Sequence, residues 1–168
     1  MKIEKRFMSD KKTRNGAAAF PTATVSRLRK AGWTPKRVVA TSLYEHAYDS
    51  EQIRFLPKTK QFLRQFGGLI IPYLTKSRQE DVLEFLADRA VQGLGGSGIE
   101  VFEELIGTVP LCPIGHYLFG TCILFMDCQG RVFGGSDETV TFVGESGEEA
   151  IGNILTGVEG EVLEPKTT

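Results

Sequence analysis

Ala31-Gly32-Trp33-Thr34-Pro35-Lys36-Arg37 and Phe62-Leu63-Arg64-Gln65-Phe66-Gly67-Gly68-Leu69 carry the same punctuation twice. Each reads as the end of a short amphipathic helix followed by a fixed turn. Before the first, Val25, Leu28 and Ala31 recur at helical spacing, and Pro21 suits the opening turn. Gly32 can take the positive φ of a residue just past a helix. A Schellman end would then place Trp33 against Leu28 of the last turn, with Arg37 over an acidic or carbonyl partner. In the second, Pro57 opens the helix, Phe62, Leu63 and Phe66 form its apolar stripe, and Gly67-Gly68 closes it. Leu69–Ile71 reads as a short buried strand stopped by Pro72.

Working outward, Val38–Thr41 reads as a first strand and 44–55 as loop. Residues 81–91 suit either state: Val82, Leu83, Leu86 and Ala90 fit a helix, while Leu83 and Phe85 around Glu84 fit a strand. Gly93–Gly98 reads as a flexible break and Ile99–Ile106 as a helix. The rest reads as an antiparallel meander. Leu118–Met126 is a central strand, Asp127–Gly130 a turn, Arg131–Phe133 the return, and Thr139–Val143 an alternating strand. Ser146-Gly147-Glu148-Glu149 is a capping box opening a last helix that Gly157 ends. This order predicts a single α+β domain, an antiparallel meander sheet with helices mainly on one face.

The strings in this order resemble the SUKH superfamily of bacterial immunity proteins, within it the third subgroup. Phe20, Leu28, Ala31, Gly32, Trp33, Pro35 and Arg37 match its N-terminal pattern, and Phe62-Leu63 with Phe66-Gly67-Gly68-Leu69 match the next. Ile106-Gly107, Pro113-Ile114-Gly115, Asp127 and Gly130-Arg131-Val132-Phe133 follow, then Glu149-Ala150 and Leu155–Gly157. The similarity spans roughly residues 20–157; 72–105 matches poorly. It implies a SUKH-like fold, a strand near 81–91, and a protein without enzymatic activity. Such a protein binds and neutralises a cognate protein toxin, often a nuclease or deaminase domain of a polymorphic toxin system. Trp33, Arg37, Gly67, Gly68, Gly130 and Arg131 then form a structural signature, not a site.

The 168 residues suit one domain, with 41% hydrophobic residues and eleven Phe to build its core. Residues 1–19 read as a mobile basic tail, 20–158 as the domain and 159–168 as a polar C-terminal tail. No stretch approaches a membrane helix, and the N-terminus lacks an apolar signal core, which points to a soluble cytoplasmic protein. The three cysteines read as reduced, mostly buried small hydrophobes.

The net charge of −1 conceals a split. Residues 1–80 hold 17 Lys/Arg against 6 Asp/Glu; residues 81–168 hold 3 against 15. Mutual neutralisation within the fold would absorb many of these charges. The alternative is an acidic surface that docks on a basic partner. Asp137, Glu138, Glu145, Glu148 and Glu149 are the partner-contact candidates, although turn and helix-start roles also suit them.

Catalytic motifs fare poorly. Gly93–Gly98 is a literal G-x-G-x-x-G, but no acidic residue follows between Glu104 and Asp127 to hold a ribose. Cys112, His116 and Cys122 are the only metal-like grouping, too few for zinc. A Cys112–His116 nucleophile pair gives way to a structural cysteine. The basic N-terminus carries no recognised nucleic-acid motif and no interleaved aromatic platform. The expectation is no catalytic residue, cofactor, metal or membrane contact, and no direct nucleic-acid binding. Its rival is a regulatory or scaffold module for a partner unrelated to toxins.

Overall fold

Helix α1 (Thr22–Lys30) ends in the Schellman motif that Gly32 announces. The Trp33 N–H donates to Leu28 O at 2.9 Å and the Gly32 N–H to Arg29 O at 3.0 Å, with Gly32 at φ +97°. Trp33 is buried, stacked on Phe66 with ring centroids 6.1 Å apart and met edge-on by Phe20. Arg37 ties the two blocks together. Its guanidinium donates to Gln65 O at 2.7 Å and Gly67 O at 2.8 Å, closing the C-terminus of α3 (Pro57–Phe66). The two glycines there differ in role. Gly68 takes the positive φ, +78°. Gly67 is extended, and a Cβ on it would lie 2.5 Å from Leu63 O and 2.7 Å from the Tyr44 hydroxyl.

The computed structural model describes residues 20–94, 96–107, 109–137 and 139–164. The basic stretch 1–19 lies outside the described residues. Between α1 and α3, residues 44–50 are not loop but the body of α2 (Ser42–Ser50), which buries Tyr44, Ala47 and Tyr48; only 51–55 are irregular. Its mixed composition hid the stripe, and the Tyr48 hydroxyl is satisfied by donating to Pro113 O. Val38–Thr41 forms no strand; the Val39 N–H caps Arg64 O at 2.8 Å.

Seven strands follow in antiparallel meander order: β1 (Ile70–Leu74), β2 (Glu80–Glu84), β3 (Leu111–Tyr117), β4 (Cys122–Asp127), β5 (Val132–Ser136), β6 (Thr139–Gly144) and β7 (Glu161–Leu163). Pro72 does not stop β1. Backbone bonds at Leu69–Phe85 and Thr75–Gln79 point odd-numbered residues toward β2. Pro72 therefore turns its missing N–H outward, where an edge strand tolerates it and strand addition is blocked. The ambiguous 81–91 resolves into both states, β2 and then α4 (Ala87–Leu94). Residues 161–163, read as polar tail, pair with β6 as the other edge strand.

The apolar run 118–126 is not one strand. β4 begins at Cys122, and Leu118–Thr121 is the turn of a hairpin whose first arm, β3, went unread. Along β4, Leu124 and Met126 face one side and Phe125 the other. Helices α1, α3 and α6 (Gly147–Thr156) cover the first side, where Phe62 approaches Met126. Helix α5 (Gly96–Leu105) crosses the second, with Phe102 5.0 Å from Phe125. Helix α4 flanks β3, and α2 packs on α4. The result is α+β, with α1, α3 and α6 on one face, α5 on the other, and a core buried on both sides of β3, β4 and β5.

The capping box forms with its return bond displaced by one residue, to the N–H before the N-cap Ser146. Ser146 Oγ accepts the Glu149 N–H at 3.1 Å and Glu149 Oε2 accepts the Glu145 N–H at 2.8 Å. Ser146→Ala is expected to cost about 1 kcal/mol in urea unfolding, with an unchanged m-value.

Candidate functional site

The residues with catalytic potential are kept apart. Cys112 pairs with Met126 across β3–β4 and His116 with Ile123, which puts their side chains on opposite faces of the sheet. Cys112 Sγ donates to Arg54 O at 3.0 Å, and burial pushes its thiol up. Burial likewise pushes Cys122 up to about 11, so both thiols are neutral at pH 7. Burial lowers the His116 pKa, more than neighbouring Glu84 raises it; its Nδ1 lies 3.5 Å from Glu84 Oε1 with no hydrogen bond. Among the described residues no three His, Cys, Asp or Glu side chains form a metal-sized group. The glycine string falls at the α4–α5 junction, with a helix before it where a dinucleotide site needs a strand.

The partner-contact candidates do not form one cluster. Asp137 is exposed in the β5–β6 turn at φ +51°, and Glu138 lies outside the described residues. Glu145 follows the far end of β6, about 20 Å away at the rise of a six-residue strand. Glu149 is committed to the capping box, and Glu148, half-buried, lines a groove with Lys58 and Gln61. A second acidic surface escaped the sequence reading. Glu100 and Glu104 are exposed on α5, and Glu103, whose Oε1 accepts the Leu111 N–H, shares a groove with Glu51, Glu100 and Arg54. The spacing i, i+3, i+4 on the outer face of a helix was its only signal.

Folding does not cancel the charge split by contact. Among the described residues only the Lys76–Glu159 ion pair, at 3.0 Å, joins the basic half to the acidic one. Lys60–Glu45 lies within the first half; Arg89–Glu84, His116–Glu84 and Arg131–Asp127 lie within the second. Direct ion pairing between the halves is thus confined to this one place among the described residues, while Lys58 shares a groove with Glu148 and Arg54 one with Glu100 and Glu103.

One end of the sheet stands out by its backbone. The β1–β2, β3–β4 and β5–β6 turns all lie there, about 10 Å apart at two strand spacings each. Arg78, Leu118, Phe119 and Asp137 in those turns take positive φ, +61°, +52°, +57° and +51°. Of the described residues other than glycine only Gln52 shares that conformation. Each such residue costs about 1–2 kcal/mol unless its surroundings hold it. Asp81 holds the middle turn. Its buried carboxylate accepts the Phe119 N–H at 2.9 Å, the Val82 N–H at 2.7 Å and the Tyr73 hydroxyl at 2.6 Å. Burial first, and then the bond to Asp81, push the Tyr73 phenol well up, so it stays a donor. Phe119, 59% exposed, and Leu118, 42% exposed, are thus presented to solvent. Beside them a cavity of about 490 Å³ is floored by Tyr73, Tyr117 and Val143 and rimmed by Leu118, Val158 and Val162.

The signature residues take structural positions. Trp33, Arg37, Gly67 and Gly68 join α1 to α3; Gly130, at φ +86°, and Arg131 build the β4–β5 turn on Asp127. In comparison with known proteins, the family model described as SUKH-3 immunity protein matches residues 20–157. No curated protein and no solved structure matches.

Proposed function

We propose, from the premise that this chain belongs to the SUKH-3 immunity protein family, that it neutralises one cognate toxin by stoichiometric binding. Membership supplies the class of activity. The mode rests on one observation: among the described residues a single ion pair, Lys76–Glu159, joins the acidic half to the basic one. Such a surface suits a toxin domain whose nucleic-acid cleft is basic, a nuclease or deaminase of a polymorphic toxin system in the bacterial cytoplasm. Attraction between the two speeds encounter and orients it. The chain then acts by covering the cleft, without turnover, cofactor or direct nucleic-acid contact. Asp137, Glu138 and Glu145 are the contact acids from the meander, joined by Glu100 and Glu104 of α5. Glu148 and Glu149 contribute through the field at the start of α6, since Glu149 is spent on its cap.

Co-expression with the toxin encoded beside this chain's gene tests the proposal: growth is rescued and a one-to-one complex is isolated. Reversing Glu100 and Glu104 to Lys lowers the association rate about tenfold at low salt, with the difference fading at high salt. Neither rescue nor complex would refute neutralisation. An association rate unmoved by the reversal and by salt would refute the electrostatic mode.

A further inference from the structure

We infer that the Leu118-Phe119 hairpin tip is the apolar anchor with which the chain grips its toxin, and that it seats in a hydrophobic socket bordered by Lys or Arg. The inference rests on the neutralising reading above and names the contact within it.

Three independent observations meet at this tip. The first is its composition. Hairpin turns favour Gly, Asn and Asp, because those residues accept positive φ or solvent. Here a leucine and a phenylalanine occupy consecutive left-handed positions and leave their side chains in water. Neither local propensity nor burial accounts for them.

The second is rigidity. Asp81 fixes the Phe119 N–H from beneath, and the Thr121 hydroxyl and N–H both donate to Leu118 O, at 2.6 and 3.0 Å. A preorganised aromatic loses little freedom on binding, which is how hot-spot residues contribute most. Backbone strain gathered at one end of a sheet is characteristic of such functional positions.

The third is the surrounding charge. Among the described residues Glu80, Asp137, Glu159 and Glu164 lie at this end of the sheet against Arg27, Lys76 and Arg78, and Lys76 is already paired with Glu159. The excess is acidic. An apolar centre within an acidic rim complements an apolar socket with a basic border. The cavity beside Leu118 gives the partner's own apolar side chain a place to enter.

Phe119→Gly separates this role from a structural one. Glycine suits φ +57° better than phenylalanine does, so the melting temperature stays equal or rises. Affinity for the purified toxin domain encoded beside the gene, read by calorimetry, falls at least about 100-fold, the loss typical of a central aromatic anchor. Phe119→Ser, which keeps a Cβ, loses affinity to the same extent. Leu43→Ser, which removes an exposed apolar side chain on α2, leaves affinity within about threefold. Wild-type affinity retained in both Phe119 variants would overturn the anchor while leaving neutralisation intact. A wild-type chain that does not bind the toxin would overturn both.

Discussion

Gly115→Ala is expected to abolish the fold, with a loss of at least about 4 kcal/mol, most of the stability of a domain this size. A Cβ built on Gly115 would overlap the carbonyl oxygen of Glu84, and would lie 3.0 Å from that carbonyl's carbon and 3.1 Å from Phe85 Cα. Each of these is backbone, so no side-chain rotation relieves the overlap. β2 pairs with β3 only at Glu84–His116, one residue beyond Gly115, and the β3–β4 register shifts between Pro113 and Gly115. The chain thus has little ladder with which to absorb a displacement. Moving β2 away would also expose Leu83 and Phe85, both buried against the α3 side. The variant should lose its cooperative thermal transition and its dispersed amide spectrum. Gly152→Ala is the contrast. Nothing lies within 4 Å of a Cβ there, inside α6, and the change should stabilise by up to about 1 kcal/mol. A folded Gly115→Ala with a normal melting curve would refute this account of the β2–β3 junction.

Gly115 also shows what was legible in the sequence. The string Pro113-Ile114-Gly115 is part of the family resemblance, yet nothing local says that the glycine makes room for a neighbouring strand's carbonyl. Helix ends were readable because their physics is local: Gly32, Gly157 and the Ser146 box each act within a few residues. Residues 118–126 misled because the apolar run continues across an exposed turn. The period-2 signal has no means of separating a buried strand residue from an apolar one presented at a tip. Helix α2 was hidden for the opposite reason, since its buried tyrosines sit among polar residues and Tyr48 is satisfied only by distant Pro113. The acids were readable as a charge excess but not as a place. The extended rise of β6 parts Asp137 from Glu145, and tertiary packing sets α5 over the sheet beside Gly135, where a Cβ would meet Phe102.

The second large effect is expected at Asp127, whose replacement by Ala should cost about 3–4 kcal/mol. Its carboxylate is fully buried. Oδ1 accepts the N–H groups of Gln129 and Arg131, each at 2.9 Å, while Oδ2 accepts Arg131 Nε at 2.7 Å. These three bonds define the β4–β5 turn, together with the Gly130 N–H to Asp127 O bond at 3.1 Å. Alanine removes both acceptor oxygens, and with them all three bonds, and leaves two turn N–H groups and a guanidinium without partners. Arg131 is partly exposed and stays over the Phe133 ring, 5.6 Å from its centroid, so water recovers a fraction of the loss. Asp127→Asn separates the contributions. The amide oxygen still accepts the two backbone N–H groups, and only the charge-assisted bond is lost, for about half the cost. Urea midpoints should therefore order wild type above Asn above Ala. An Ala variant no less stable than the Asn variant would show that the turn stands without its carboxylate. Because a loss of this size lowers the folded population in the cell, Asp127→Ala should also weaken protection against the toxin, and raising expression should restore it. Phe119→Gly should resist that rescue, since there the fold survives and the contact is missing.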